Sequence, residues 1–522
     1  MRTKPQTRQT IGSRALLMLI PLALSGCVSV GPDYHAPAPD INSNWQTPNA
    51  TQSTQNEYDE MLLSEWWAVF ADPNLIELIR LAKSDNRDLR QALARVREAR
   101  AQRGLSKASL GPNLQAEHSA RRSTSSAETG IRNTADSYSL GLDASWELDL
   151  FGKKRRDLEA ADATLDASRE EWRDVQVTLY AEVALAYVEY RNYQNRLALT
   201  ESNLAAQQET YELTRWRREA GLTTQLDVDQ AKLSLEQTRA DLPVLRINRD
   251  QAANRISLLT GQNPGSAQQF LTAEADVPVA VVEISSGLPA DLLRRRPDIR
   301  RRERELAAQT ARIGSAAAER YPSFTLSGSL GLEALQYANL YSGAARVAQG
   351  VISSGWTLFD GGRIKRNVEI QSAKQEQALA VYESTVLTAQ QEVENALVGY
   401  AEQQNRQASL EAAEQAAKSV LELARAQYSS GLIDFQTVLD AQRSLLSVQN
   451  QLATTSADAT SNLIRLYKAL GGGWRFDDSL HPTTNVEGMA GTLQSTQLGE
   501  SILPEIPDFE QVDFHSKLTV IP

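Results

Sequence analysis

The chain is poor in the residues that most often carry chemistry. It has one cysteine and four histidines in 522 residues. A single cysteine excludes an internal disulfide, and the histidines, at positions 35, 118, 481 and 515, lack the paired spacing of a metal site. The Phe-Gly-Lys-Lys stretch at 151–154 lacks the upstream glycine and the following Ser or Thr of a phosphate loop. We therefore expect neither enzyme activity nor a cofactor.

Long hydrophobic runs are absent beyond the N-terminus. Hydrophobic residues make up 41% of the chain and charged residues 23%, which excludes a disordered polymer and a bundle of membrane-spanning helices. The formal net charge is −11, and removal of residues 1–26, which hold four basic residues and no acid, lowers it to −15 (−11 − 4). Nucleic-acid binding requires a basic face, so we expect no nucleic-acid partner.

The N-terminus has the organisation of an export signal. Four basic residues precede the apolar run ALLMLIPLAL, which is too short to span a bilayer comfortably. Small residues then lead into Cys27. The Leu-Ser-Gly-Cys sequence resembles the bacterial lipobox, in which the cysteine becomes the lipidated first residue of the mature protein. By the same resemblance, Val28 suits sorting to the outer membrane. We predict a signal peptide over residues 1–26 and a lipid anchor on Cys27.

Motifs recur along the chain at one constant spacing. Trp146 and Trp356 are 210 residues apart (356 − 146), and so are Gly152 and Gly362. The same spacing of 210 separates Asp88 and Asp298, Gly104 and Gly314, Pro112 and Pro322, Leu148 and Leu358, and Gly221-Leu222 and Gly431-Leu432. This series indicates an internal duplication, and the two halves should fold alike.

Each half predicts helices followed by a pair of long strands. In the first half, residues 73–83 and 86–109 are rich in helix formers, and Gly111-Pro112 ends the second run. A strand is expected at 113–120, and residues 137–150 alternate between apolar side chains and small or acidic ones. The second half repeats this pattern in the runs FTLSGSLGLE and QGVISSGWTLFD.

The alternation favours a membrane barrel, although a soluble sheet with one buried face has the same period. The strands approach the length of about 9–11 residues that a tilted strand needs to cross a bilayer. Their polar face is small and acidic, as in a water-filled lumen, and Trp146 lies near one end, as in an aromatic girdle. Four strands per chain cannot close a barrel, so the chain must oligomerise; a dimer would supply eight strands and a trimer twelve.

A very long helix follows each strand pair. Residues 153–220 contain no Pro or Gly, and residues 363–430 contain only Gly399. At 1.5 Å per residue, either helix would reach roughly 100 Å. Each ends at a matched Gly-Leu turn, and a returning helix follows to about Leu259 and Leu470. A coiled-coil rod would also contain such helices, but a rod does not explain the strands between them.

This order resembles the TolC family of outer-membrane efflux channels, in particular its OprM/NodT-like lipoprotein branch. The stretches that carry the resemblance span residues 24–474 and are GCVSVGPDY, EWWAVFADPNLIELI, WELDLFGKKRR, GLPADLLRRRPDIRRRE, VLDAQRSLLSVQNQL and LYKALGGGW. The resemblance implies a mixed α and transmembrane β fold: a homotrimer whose twelve-stranded β-barrel, with four strands per chain, lies in the outer membrane and continues as an α-helical barrel through the periplasm.

The resemblance also implies the function and the partners. The chain would be the passive, lipid-anchored outer-membrane channel of a tripartite system, in contact with outer-membrane lipid. It would carry drugs, toxic compounds or metal ions from an inner-membrane transporter, RND-type or other, through a periplasmic adaptor protein. Two alternatives stay open: a duct for polypeptide secretion, and a non-conducting structural lipoprotein trimer.

The sequence divides into six segments on this interpretation. They are the signal peptide 1–26, an extended segment 27–72, the first repeat 73–262 with strands at 113–150 and a helical hairpin at 153–260, a linker 263–294, the second repeat 295–473 with strands at 323–360 and a hairpin at 363–471, and a flexible tail 474–522.

The functional residues are predicted at the hairpin turns and at the joints between strand and helix. Asp440 and Arg443 occupy positions that resemble the family's gating acid and base, but a local i,i+3 pair on an exposed helix is an equally good interpretation. The other candidates beside the turns are Tyr428, Asp434, Asp227 and Asp229. The joints between barrel and tunnel are expected at Gly152, Gly361 and Gly362.

An arginine-rich stretch, DLLRRRPDIRRRERE, precedes the strands of the second half. Arginine runs occur in nucleic-acid patches, but the interleaved Glu residues and the net acidity argue against one here. We expect a helix that begins after Pro297 and presents an exposed charged face.

Overall fold

The computed structural model describes residues 29–38, 63–128, 130–271, 273–280 and 290–475. The predicted signal peptide, Cys27 and the tail from 476 onward lie outside the described residues. The main elements are α1 (Pro73–Asp85), α2 (Arg87–Ala108), β1 (Asn113–Thr124), β2 (Thr134–Leu148), α3 (Lys153–Glu219), α4 (Gln225–Leu259), α5 (Pro297–Ala318), β3 (Ser323–Ala334), β4 (Arg346–Gly355), α6 (Arg363–Ser429) and α7 (Phe435–Ala469).

The duplication appears in the bounds of the elements themselves. Helix α5 begins and ends 210 residues after α2 (297 − 87 and 318 − 108). The same displacement of 210 relates β3 to β1, α6 to α3 and α7 to α4 at both ends. The two halves therefore fold alike, as predicted.

The four strands form one antiparallel sheet in the order β1-β2-β3-β4. Leu140 and Leu142 of β2 lie opposite Leu332 and Leu330 of β3, which gathers apolar side chains on one face of the sheet. Within one chain, β1 and β4 each have a strand on one side only. Both outer edges of the sheet are therefore unpaired in a single subunit.

The strand boundaries differ from the predicted ones at both edges of the sheet. Strand β1 extends to Thr124 rather than residue 120, and β4 ends at Gly355, so that residues 356–360 lie outside it. The counterparts of residues 356–358, at 146–148, belong to β2 and pair with β3. Strand β2 has neighbours on both sides and β4 has one, which explains why the same sequence pattern ends earlier in β4.

Helices α3 and α6 have 67 residues each, and the returning helices α4 and α7 have 35 each. At 1.5 Å per residue, the long helices reach roughly 100 Å. Among the described residues, no helix combines the length and the apolar character needed to cross a bilayer.

The main apolar core lies near the middle of α3. A 3₁₀ helix at Trp66–Phe70 interrupts the segment predicted to be extended, and the ring of Trp66 stacks on Tyr467 of α7 with 5.5 Å between centroids. Trp67 contacts Tyr180 of α3 edge to face at 5.2 Å. This aromatic cluster joins the segment before α1 to both repeats.

Both sheet-to-helix joints use glycine at the N-terminal end of the helix. Gly152 has φ +81° and Gly362 has φ +90°, and Gly361 before it has φ +66°. These left-handed values favour glycine, because a side chain would crowd the backbone. Asp149 accepts hydrogen bonds from two amides of the first turn of α3, and Asp360 accepts from Gly362 and from the first turn of α6.

Two tryptophans hold the joints in the same way. The Nε1 of Trp146 donates to the carbonyl of Leu110 at 2.8 Å, and that of Trp356 donates to the carbonyl of Arg320 at 3.0 Å. Donors and acceptors are both displaced by 210 residues (356 − 146 and 320 − 110). Each indole thus connects its joint to the residues just before the first strand of the pair.

Substitution of the two joint glycines should have unequal effects. Gly362→Ala adds only the backbone strain of about 1–2 kcal/mol, since no atom lies within 4 Å of the new Cβ. Gly152→Ala adds the same strain and a contact of 2.9 Å with the Cα of Ser29, so it should lower the free energy of unfolding more. Thermal unfolding of both purified variants, followed by circular dichroism in detergent, tests this; equal losses would contradict it.

Candidate functional site

The predicted gate residues lie at two hairpin turns that have the same geometry. Gly221 has φ +75° and Gly431 has φ +74°. The amide of Leu222 donates to the carbonyl of Arg217 at 2.7 Å, and that of Leu432 donates to Gln427 at 2.9 Å. These bonds close the last turn of α3 and of α6, so the chain reverses within a few residues. Each turn leaves its leucine exposed.

Asp227 and Asp434 both take part in helix capping. Thr224 and Asp227 form a reciprocal capping box at the start of α4, with the Asp227 carboxylate accepting from the Thr224 amide at 3.0 Å. Asp434 caps α7 by accepting from the amide of Thr437 at 3.0 Å. The carboxylates are therefore engaged in bonds within their own hairpins.

Hydrogen bonding lowers the pKa of both capping carboxylates. For Asp434, the hydroxyl and the amide of Thr437 are the main causes, and the nearby charge of Asp227 opposes them. For Asp227, burial raises the pKa, but the hydrogen bonds from Thr223 and Thr224 together outweigh it. Both groups stay ionised below the ordinary pKa of a carboxyl group.

Asp440 and Arg443 form an exposed pair one turn further along α7. The Arg443 Nη1 and the Asp440 Oδ1 are 3.8 Å apart, and both side chains remain about half exposed. Gln436 donates to Asp440 at 2.9 Å, and in the first repeat Gln225 donates to Asp229 at 3.1 Å. Within one subunit the pair is a loose local contact, and its polar atoms remain accessible to another surface.

Tyr428 lies in the packing between the two hairpins. The guanidinium of Arg217 from α3 lies 4.7 Å from the centre of its ring, and Phe435 of α7 lies 5.3 Å away on a tilted plane. Gln442 of α7 also donates to Thr210 of α3 at 3.0 Å. The six predicted gate residues thus divide into two caps, three exposed charged groups and one residue that joins the hairpins.

The predicted sites did not include an anchor for the N-terminal segment. The buried Arg156 of α3 donates to the carbonyls of Val30 at 3.2 Å and Gly31 at 3.4 Å, and to Asp33 at 2.7 Å. The amide of Val30 donates to the carbonyl of Phe151 at 3.2 Å. The segment three residues beyond Cys27 is therefore fixed beside the first joint. The basic run at the start of α3 was the sequence feature from which this anchor could have been predicted.

The arginine-rich stretch begins a helix at Pro297, as predicted, but its first arginines are not exposed. Arg296 is buried, and its guanidinium pairs with Asp298 at 2.8 Å and Glu392 at 2.7 Å. Burial of this charge is possible because two carboxylates and a backbone carbonyl surround it. Within the helix, the charged residues 300–305 are half-buried, so the expectation of an exposed charged face is wrong.

Trp474 belongs to the folded body rather than to the predicted tail. It is buried, and three arginines lie over its ring at 4.6, 5.1 and 5.7 Å from the centroid, namely Arg173, Arg295 and Arg300. Cation–π contacts of this kind explain part of the arginine content of the stretch. The packed body therefore extends past the predicted boundary at residue 473.

No cluster of His, Cys, Asp and Glu that could hold a metal ion occurs in the part of the chain that the structure describes. The acidic residues at the tip are spread over two hairpins, and the caps use their carboxylates for hydrogen bonds to their own helices.

Comparison with known proteins identifies the family. The outer membrane efflux protein family matches residues 78–262 and 288–472. The two matches begin and end 210 residues apart (288 − 78 and 472 − 262), the spacing of the duplication. The chain belongs to the outer membrane efflux protein family, and the predicted resemblance is confirmed.

Named relatives agree along almost the whole chain. Outer membrane protein OprJ of Pseudomonas aeruginosa is 34% identical over 88% of this chain and 95% of its own length. Nodulation protein T of Rhizobium leguminosarum bv. viciae is 32% identical over 88% and 94%. The toluene efflux pump outer membrane protein TtgF of Pseudomonas putida is 34% identical over 88% and 96%.

Solved structures show the same architecture. The outer-membrane channel OprN superposes with a TM-score of 0.80 at 37% identity and covers 85% of this chain and 99% of its own. CusC superposes with a TM-score of 0.75 at 29% identity over 85% and 99%. The predicted fold class is thereby confirmed, a trimeric twelve-stranded barrel continued by a helical barrel. The protein is an outer-membrane efflux channel, and this family consists of channels rather than enzymes.

Acid should loosen the cap of α7. Because the folded-state pKa of Asp434 lies below the unfolded value, its contribution to stability is complete above the unfolded pKa of about 3.9 and is lost as pH falls through the folded pKa. We expect the amide of Thr437 to lose protection from hydrogen exchange as the pH falls through the folded-state pKa of Asp434.

Asp434→Asn is the matched control, since an asparagine cap accepts the same hydrogen bond without titrating. The exchange rate of the Thr437 amide is measured in the wild type and in Asp434→Asn at each pH. The ratio of the two rates should change only in acid. A constant ratio from neutral pH to pH 2 would contradict the prediction.

Proposed function

We propose that this channel is the passive exit duct of a three-part efflux assembly. An inner-membrane transporter, RND-type or other, would supply the energy, and a periplasmic adaptor would join it to the helical end of the duct. The observation that carries the proposal is the direct connection of a transmembrane sheet to two helices of roughly 100 Å. This length suits a partner that meets the channel far from the outer membrane.

The polar face of the sheet supports conduction of hydrated solutes. Across its four strands, Gln115, Asp143, Ser329 and Gln349 line one groove. Small and polar side chains are typical of a water-filled barrel lumen, whereas the opposite face carries the leucines. A non-conducting structural trimer would not require this separation of the two faces.

The substrates we propose are small toxic molecules. The names of the relatives refer to toluene and antibiotic efflux in Pseudomonas putida. The choice among drugs, solvents and metal ions would belong to the transporter in this proposal. Polypeptide secretion remains the second candidate because the same duct width would serve it.

The tip acts as the gate in this proposal. Asp440 and Arg443 are exposed and only loosely paired within a subunit, so they are available to bind across the axis to other copies. Asp229 supplies a further exposed acid at the tip. Contacts of this kind would hold the hairpin ends together until the adaptor separates them.

Single-channel recording in planar bilayers tests both the channel and the gate. The wild-type trimer should open rarely, and Asp440→Ala or Arg443→Ala should open more often and at higher conductance. The matched control is Glu236→Ala with Arg239→Ala, which removes an exposed i,i+3 pair of α4. Unchanged conductance in both tip variants would exclude the gate, and absence of any current from trimers would exclude the channel.

Growth measurements separate the two export functions. Cells that lack the gene should be more sensitive to toluene and to antibiotics than wild-type cells. They should also accumulate more of a fluorescent substrate. Loss of a polypeptide from the culture medium with unchanged sensitivity would favour the secretion duct.

We also propose that Cys27 carries the lipid anchor. Mass spectrometry of the mature wild-type N-terminal peptide should show the mass of attached acyl chains, and Cys27→Ser should abolish it. Because one anchor supplements a transmembrane barrel, the variant should still conduct once it is inserted, although less protein should reach the membrane. An unmodified wild-type peptide that retains residues 1–26 would overturn the assignment.

A further inference from the structure

One face of the sheet carries the leucines of β2 and β3. Directly opposed residues of neighbouring strands lie on the same face, and one such row joins Leu140 of β2, Leu332 of β3 and Arg346 of β4. Asp143 and Ser329 belong to the opposite, polar face, because successive side chains of a strand alternate between the two faces. In the barrel the face with the leucines is the one that contacts lipid, and Arg346 lies on it.

Arg346 lies near the outer surface of the bilayer. The long helices leave the sheet at the end of β2 that holds Trp146, so the opposite end, where loops join the strands, lies at the outer leaflet. Tyr138 is eight residues from Trp146 (146 − 138), which is about 26 Å along a strand. At a tilt of about 40° this distance gives about 20 Å of height, close to the apolar band of about 25 Å that aromatic girdles enclose. The row of Arg346 crosses β2 at Leu140, two residues from Tyr138 (140 − 138), so a long side chain can reach the outer interface.

Arg346 has no anionic partner in the described part of the chain. Its side chain is exposed, and no ion pair joins it to another described residue. The other arginine of the strands on this face, Arg122 of β1, is neutralised by Asp136 of β2 through two hydrogen bonds of 2.8 and 3.1 Å. A cation beside the hydrocarbon is unfavourable without an anion, and at this height the available anions are lipid phosphates. We therefore expect the anion for Arg346 to come from the lipid.

The loop between β3 and β4 packs against the same face. The ring of Tyr337 contacts Tyr138 edge to face with 5.7 Å between centroids, and the ring of Tyr341 contacts Tyr337 at 6.5 Å. Leu340 of this loop is buried, whereas Tyr337 and Tyr341 are exposed. The equivalent loop of the first repeat, residues 125–133, contains no aromatic residue. The repeats therefore differ here, and the second one gathers three tyrosines at the outer end of the face that contacts lipid.

We propose that Arg346 and the three tyrosines bind the headgroup of a phosphorylated glycolipid of the outer leaflet. The guanidinium of Arg346 would donate two hydrogen bonds to one phosphate group, for which its planar fork is suited. The tyrosine rings would pack on the sugar, because the C–H faces of a sugar ring fit an aromatic surface, while their hydroxyl groups remain at the interface. The leucines of the row would contact the acyl chains. The site lies outside the barrel, away from the conducting path.

Lipid binding to the purified full-length trimer tests this site. The wild type in detergent is titrated with phosphorylated lipid A, with dephosphorylated lipid A and with phosphatidylglycerol, and native mass spectrometry counts the bound lipids. We expect phosphorylated lipid A to bind most tightly. Arg346→Gln should weaken its binding about tenfold, the effect of one lost charge-assisted contact, and Tyr341→Ser should weaken it less. Equal binding of the two forms of lipid A would overturn the proposal, and so would tighter binding of phosphatidylglycerol.

Arg121→Gln is the matched control. Arg121 is also an exposed arginine at the outer end of a strand, but it lies opposite Ser137 on the polar face of the sheet. This variant should bind phosphorylated lipid A as tightly as the wild type does. An equal loss of binding in Arg121→Gln and Arg346→Gln would indicate general attraction between charges, and it would overturn the assignment of the site.

If Arg346→Gln does not assemble, the two forms of lipid A and the tyrosine variant decide the matter. Binding to the wild type that depends on the phosphate groups and that Tyr341→Ser weakens would support the site. Binding that depends on the phosphate groups but is the same in Tyr341→Ser would place the lipid elsewhere on the barrel and overturn the proposal.

These tests are independent of the proposed transport role. The single-channel conductance of Arg346→Gln should equal that of the wild type, because the side chain lies outside the conducting path. A channel that conducts ions but shows no binding dependent on phosphate would contradict the lipid site and leave the function intact. A trimer that binds the lipid but carries no current would do the reverse.

Discussion

Every part of this molecule depends on the need to pair backbone hydrogen-bonding groups inside a lipid bilayer. A four-stranded sheet leaves two rows of amide and carbonyl groups unpaired at its edges, and the bilayer core offers no water to satisfy them. Insertion of the sheet into the bilayer therefore requires that its edges pair with other copies of the chain. This pairing requires more than one subunit, and through the covalent joints it places the helices of those subunits side by side around one axis.

The joints transmit this arrangement because they leave little freedom to the chain. At each joint, a glycine in the left-handed conformation, an aspartate that caps the new helix and a tryptophan bonded to a backbone carbonyl act within a few residues. The direction of each long helix is set where it begins. Over 67 residues, even a small error in that direction would displace the tip by several ångströms, so rigidity at the joint matters most at the far end.

Regular features could be predicted from the sequence, and irregular ones could not. Periodicity and the constant spacing gave the strands, the long helices and the turns, because these follow from local propensity and from duplication. The end of β4 could not be predicted, since it depends on a neighbouring strand rather than on its own residues. The buried Arg296 and Trp474 were also missed, because an arginine run has the same composition whether it faces water or carboxylates. At the tip, the sequence located the acids but did not distinguish the capping carboxylates from the exposed, loosely paired groups.

The hydrogen bond from the Val30 amide to the Phe151 carbonyl limits the distance between the first joint and a lipid anchor on Cys27. A chain extends at most roughly 3.6 Å per residue, so three residues reach about 11 Å. An acyl group on Cys27 would then start no further than this from the first joint, and the periplasmic surface of the membrane would be set at that height. The position of the sheet within the bilayer would thus be measured from the lipid anchor as well as from the apolar strand faces.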